Sequence, residues 1–305
     1  MREILTVAEA TQWCIAATGT GRSGALSSFQ PTQALRRHPL AAAAGCGAPT
    51  GVHGMVKLIE VIGRRPDLTH AYFLKHLSTT HLEVVDRVPE FRNRVRRYVQ
   101  NHLFVDPNEL ADIHGLSIST NADGLIEVWW DRFSDIMGAF QEPRYLEIIR
   151  PDELAFGDVP GAWGVTAQET LVMERNGFSG LIKLFIFLKR PVRTPHAAFR
   201  SRWQAIREHQ LSPATAFRTH VGRFVENWVS QDPAESLPGM KPYDLVAELW
   251  LESLQDVAQL AADPNFLGAV GGAPADHIDS SHTLMYVAKE NPAAAEWLRK
   301  SQGRR

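Results

Sequence analysis

Three short stretches carry side chains able to move protons. RRYVQNHLF (96–104) places Tyr98, Gln100 and His102 at alternate positions, GLIEVWWD (124–131) carries Glu127, Trp129 and Asp131, and FLKHLSTTH (73–81) ends on His81. In strands, side chains two apart share a face, so Tyr98, Gln100 and His102 form one row and Glu127, Trp129 and Asp131 another. If both rows line one interior, His102 and Glu127 become cross-strand neighbours. A carboxylate beside an imidazole orients the ring and favours its charged form, which makes a general acid or base. Tyr98 would donate to a developing oxyanion, and His81 would supply a second acid/base group or bind a substrate oxygen. Each residue also has a plainer reading. His102 would be a buried imidazole satisfied by a neighbour, Tyr98 a packed ring with its hydroxyl tied, His81 a helix-edge group capping a carbonyl, and the tryptophans core.

Other polar residues are read from spacing. Gln100, Trp129, Asn101 and Lys57 are candidates for substrate binding, and Lys57 recurs as Lys183, either paired with a carboxylate or charged at a strand end. His76 precedes His81 on the same helix by roughly 140° of rotation, poor geometry for a shared metal, so it is placed at the surface. His38, His53, His70 and His196 read as solvated. No HExxH, P-loop, nucleophile elbow or GxGxxG before a helix is present, so neither metal, nucleotide nor flavin is expected.

Elements of a particular order must hold these residues. Sliding the 305-residue chain by 126 positions lays Lys57-Leu58 on Lys183-Leu184, Phe73 on Phe199, Val99 on Val225 and Asn101 on Asn227. After a loop shortened by five residues, Glu127 falls on Glu248, Trp129 on Trp250, Asp135 on Asp256 and Pro143 on Pro264. Each copy reads β-α-β-β-α-β. The first has strands at 56–63, 96–104, 124–131 and 165–174, a helix over 69–88 capped by Thr69, a second from Ser134 to the Glu142-Pro143 break, and a further helical piece within 144–156. The second runs through 181–188, 195–209, 220–229, 244–251, 254–262 and 281–289. This is the ferredoxin-like split βαβ order, an α+β fold. Two such sheets cover each other's bare faces by closing into one barrel with helices outside. Copy two replaces Tyr98, Gln100 and His102 with Phe224, Glu226 and Trp228, and His81 with Arg207, so chemistry is expected in copy one.

Composition sets the remaining bounds. Hydrophobic content of 44% suits a buried core, and a net charge of -2 gives no reason to expect nucleic acid or anionic membrane. No apolar run approaches the roughly 20 residues of a membrane helix. The only cysteines, Cys14 and Cys46, argue against a disulfide framework and leave a reducing cytoplasmic setting as the default. Residues 1–54, rich in Ala, Gly, Ser and Thr, read as a disordered extension or an upstream start. Residues 291–305 form a C-terminal tail, of which the basic stretch EWLRKSQGRR (296–305) reads as frayed.

FLKHLSTTH, RRYVQNHLF, IEVWWD (126–131) and DELAFGD (152–158) together resemble the EthD domain, of the dimeric α/β barrel group. The likeness covers 55–175 fully and 176–290 more loosely. It departs from the family at Leu77, where an aromatic is usual and where copy two has Trp203. The resemblance implies two fused units with a pocket for a small, largely apolar substrate, and it places a histidine at position 81 facing the pocket end. Relatives include proteins of ether degradation and cofactor-free decarboxylases of polyketide-derived aromatics. The expectation is therefore a cofactor-independent lyase, decarboxylating a small aromatic or polycyclic acid. His102 and His81 would move the protons, Tyr98 would assist and Glu127 would orient His102. A cofactor-free oxygenase and a non-catalytic small-ligand carrier are the alternatives. The partners expected are a small aromatic molecule and at most a second copy of the chain.

Overall fold

The structure is a computed structural model describing residues 54–271 and 276–302. Of the expectation for 1–54, all but Gly54 lies outside the described residues. The first half runs β1 (Val56–Ile62), α1 (His70–Ser78), α2 (Thr80–Asp86), α3 (Pro89–Arg92), β2 (Arg97–Leu103), β3 (Gly124–Trp130), α4 (Phe133–Phe140), a π-turn (Tyr145–Ile149), α5 (Arg150–Phe156) and β4 (Trp163–Glu174). The second runs β5 (Ile182–Leu188), α6 (His196–Ile206), α7 (Thr215–His220), β6 (Arg223–Val229), β7 (Leu245–Leu251), α8 (Leu254–Ala261), α9 (Pro264–Val270), β8 (Leu284–Asn291) and α10 (Pro292–Gln302).

The eight strands close into one antiparallel barrel in the order β1-β3-β2-β8-β5-β7-β6-β4. The two halves share a register as well as an element order. Lys57 faces Trp129 as Lys183 faces Trp250, and Val99 faces Glu127 as Val225 faces Glu248. Strands such as β5 (IKLFIFL) are buried along their whole length. One face looks into the barrel and the other lies beneath helices, so neither can be polar without a partner.

Ile59, Val61, Leu103, Leu125, Val165, Phe185, Phe187 and Tyr286 pack together on the inward faces. The same faces carry an ion network. Lys57 Nζ lies 2.5 Å from Glu127 Oε1, 2.5 Å from Glu248 Oε1 and 3.1 Å from Glu169 Oε2. Lys183 Nζ lies 2.6 Å from Glu127 Oε2 and 2.8 Å from Glu290 Oε2. Asn101 donates to Glu127 (2.8 Å) and Asn227 to Glu248 (2.7 Å), while Trp129 and Trp250 lie against the two ammonium groups. Burial opposes charge on all four central groups, and the outcome depends on neighbours. Glu127, between two lysines, stays well below the usual carboxylate range. Glu248, buried and repelled by Glu127, is pushed up to about 8. Lys57 is raised despite its burial by the three glutamates around it.

Several sequence expectations change here. Tyr98, Gln100 and His102 lie on the outer face of β2, under the helices. Glu127 pairs across strands with Val99, and His102 pairs with Gly124, so Glu127 cannot orient His102. The shared-interior premise fails because a closed barrel buries both faces, and polarity alone does not say which face looks inward. Lys57, Asn101, Glu127 and Trp129, expected as catalytic or substrate-binding residues, meet each other inside the barrel. The tail is likewise not frayed through its first residues: α10 is helical and buries Leu298.

Candidate acid–base site

The long helix expected over 69–88 is broken. Thr79 leaves helical geometry (φ -126°, ψ -75°), separating α1 from α2 and resetting the rotation between His76 and His81. Both then converge on one carboxylate. Asp152 Oδ1 meets His76 Nε2 at 2.8 Å, and Oδ2 meets His81 Nδ1 at 2.8 Å. His76 is thus drawn inward, against its expected surface position. Phe156, one turn beyond Asp152 on α5, supports both rings with centroids 4.5 and 5.4 Å away. Asp152 sits below the usual carboxylate range, because the bonds from His81 and His76 outweigh the cost of burial. The two nitrogens take different oxygens at hydrogen-bond length, and among the described residues no group of three His, Cys, Asp or Glu is placed to hold a metal ion. An ionised Asp152 accepts, so the His81 proton that it receives sits on Nδ1, leaving Nε2 as the nitrogen turned away from the carboxylate.

Beside this dyad stand two more carboxyls. Glu153 follows Asp152 on α5, accepts from the Tyr145 hydroxyl (2.9 Å) and pairs with Arg150 (2.8 Å). Burial raises its affinity for a proton, although Arg150, His81 and Tyr145 pull the other way. Glu60 comes from the outer face of β1, opposite Gly164 of β4. A side chain at Gly164 would meet the backbone oxygen of Ile59 at 2.6 Å, so glycine there lets β4 approach the strand carrying Glu60. Burial, then repulsion from Glu153, pushes Glu60 up to about 7. Burial and the charges of Glu60 and Glu153 also raise the Tyr98 hydroxyl, against the hydrogen bond from Gln100. The π-turn that presents Tyr145 immediately precedes α5, in line with the frequent use of such turns at functional positions.

The residues predicted from the sequence therefore separate. His81, Tyr98 and Gln100 lie under the helices of the first half with this cluster. Gln100 donates to Leu77 O (2.8 Å) and the Tyr98 hydroxyl (3.2 Å). His102 stands further along β2, with Nε2 3.2 Å from Ser78 Oγ. Burial, followed by His70 and Lys289, pushes it down to about 4, so it is neutral at pH 7. His70, expected to be solvated, bonds Asp123 at 2.8 Å. Sequence reasoning missed Glu60, His76, Tyr145, Asp152 and Glu153. Two signals were present: Glu60 is the lone acid in the apolar run VKLIEVI, and Asp152-Glu153 open the DELAFGD stretch.

The corresponding place in the second half is filled. Glu226, at the Gln100 position, accepts two 3.0 Å bonds from Arg207 and one of 2.7 Å from Trp203 Nε1. Ile186 replaces Glu60, and Trp203, Phe224 and Trp228 join a continuous apolar cluster with it.

A closed eight-stranded antiparallel barrel jacketed by helices, with a ferredoxin-like order in each half, is a dimeric α/β barrel within one chain. Residues 65–160 match the EthD domain family, a stretch that contains α1 to α5 and the histidine–aspartate cluster. Among solved structures, a chlorite dismutase variant from Candidatus Nitrospira defluvii is similar at a TM-score of 0.45 and 15% identity, over 82% of this chain and 96% of that one. An anthrone oxidase-like protein is similar at 0.48 and 8% identity, over 78% and 91%. No curated protein matches the sequence.

Proposed function

We propose that the first-half cluster is the active site of an enzyme that transfers protons, without a bound cofactor, on a neutral hydroxyaromatic or enolisable carbonyl compound. One observation carries the reading. Asp152 grips His81 through Nδ1, and Nε2 makes no hydrogen bond among the described residues. This is how a carboxylate fixes tautomer and aim in a catalytic histidine. His81 Nε2 takes a proton from carbon or from a hydroxyl, and Asp152 stabilises the imidazolium that results. The Glu60 carboxyl and the Tyr98 hydroxyl, both protonated in part or in full near pH 7, donate to the oxygen on which charge gathers. The reverse path returns the proton to carbon.

The cluster's own charge selects the substrate. An aromatic carboxylate would meet Asp152 and Glu153, while Arg150 is already paired with Glu153. The reading therefore keeps the proton transfer of a lyase mechanism and replaces the acid substrate with a neutral phenol or ketone.

Hydrogen–deuterium exchange tests it. In D2O the protein should accelerate deuterium uptake at C1 of 2-naphthol or at the α-carbon of aryl ketones, followed by mass. His81→Gln should lower that rate by about two orders of magnitude. No acceleration across the panel, or an unchanged rate in the variant, refutes the assignment.

A further inference from the structure

The first-half cluster is roofed by the far end of the chain. β8 pairs with β2 so that Asn291 faces Gln100. Asn291 Nδ2 donates to Gln100 Oε1 (3.1 Å) and Ser78 Oγ (3.2 Å), while its Oδ1 accepts from Ala293 N (3.2 Å) at the start of α10. One amide thus anchors β2, α1 and the first turn of α10, and so sets the direction of that helix. α10 then lays Trp297 edge-on against Tyr98, with centroids 5.9 Å apart and planes at 70°. The indole also packs against the cluster of Val84, Val85, Val88, Tyr145 and Ile149. Its Nε1 is buried and makes no hydrogen bond among the described residues. A buried N–H without a partner costs stability, and such a group is retained at little cost where a ligand oxygen meets it.

We infer that Trp297 is a substrate-binding residue of the first-half site, stacking on the ring of a hydroxyaromatic ligand and donating its indole N–H to the ligand's oxygen. The inference rests on the proposed proton-transfer site. It adds that the half lacking the histidine supplies part of that site: without α10, Tyr98 loses one wall and the ligand loses one donor.

Binding of 2-naphthol and of 2-methylnaphthalene, measured by ligand-observed NMR on the full chain, separates ring from hydroxyl. Trp297→Phe keeps a ring and removes the N–H. It should weaken 2-naphthol about five- to tenfold, the worth of one hydrogen bond, and leave 2-methylnaphthalene within twofold. Trp297→Ala should weaken both by more than tenfold, with the urea midpoint confirming a folded protein. Equal affinities for 2-naphthol in wild type and Trp297→Phe overturn the inference, as does failure of either compound to bind the wild type. The deuterium exchange lost in His81→Gln reads the chemistry separately. Exchange that persists alongside unaltered Trp297→Phe binding rejects the roof and leaves the acid–base site standing.

Discussion

Glu127 and Glu248 occupy matching places in the barrel, yet replacing each by glutamine should have opposite consequences. Glu127 lies 2.5 Å from Lys57, 2.6 Å from Lys183 and 2.8 Å from Asn101, and its side chain is fully buried. Removing its charge leaves two buried ammonium groups short of their shared counter-ion, a loss that typically costs about 3–5 kcal/mol. That is a large part of the roughly 5–15 kcal/mol by which domains are stable. Glu248 is pushed up to about 8, so at pH 6 it is already neutral, and Glu248→Gln should cost no more than about 1 kcal/mol. The pH dependence has a definite sign. The folded value lies above the ordinary 4.5, so the wild type loses stability as pH rises from there through about 8, whereas the glutamine does not titrate. Between pH 6 and pH 9 Glu248→Gln should gain on the wild type by about two pKa units' worth, a few kcal/mol. Urea unfolding at pH 6 and pH 9 reads both effects. Equal costs for the two variants at pH 6, or a Glu248→Gln protein that gains nothing at pH 9, refute the unequal protonation of the pair.

Three further tests reach the rest of the molecule. Arg207→Met strands Glu226, which is only 2% exposed, and should destabilise by about 2–4 kcal/mol in urea; adding Glu226→Gln should recover most of the loss. His102→Ala should lower the exchange rate with 2-naphthol less than tenfold, far short of the effect at His81, because a neutral imidazole bonded to Ser78 is not the base. Exchange should fall as pH rises through about 7, where Glu60 gives up its proton, and Glu60→Gln should flatten that limb; a limb unchanged in the variant removes Glu60 from the mechanism.

The alternation in RRYVQNHLF and GLIEVWWD was enough to predict strands, and the recurring β-α-β-β-α-β order was enough to predict a closed barrel. Alternation also grouped Tyr98 with Gln100 and His102 correctly. It could not tell the lumen from the helix-covered side, because Asn101 and Gln100 are adjacent, both polar and both fully buried. His81 was legible from its motif, but its partner was not. Asp152 reaches it only because Thr79 breaks the helix, and nothing in the STTH run has the Pro or Gly that usually marks a break. The raised carboxyls were hidden for a related reason: the sequence does not say that α5 brings Glu153 toward Glu60.

The closure of the barrel has a consequence for how the chain reaches its native state. Within each half the sheet order leaves two bare edges, β2 and β4 in one, β6 and β8 in the other, and each edge finds its partner only across the molecule. Such pairings join residues far apart in sequence, so folding must await nearly complete synthesis and should be slow for a protein of this size. Until β2 meets β8, Asn291 has no Gln100 to hold and the first-half cluster has no roof. Competence at the candidate site should therefore be the last thing to appear in a refolding experiment, after most of the sheet has formed.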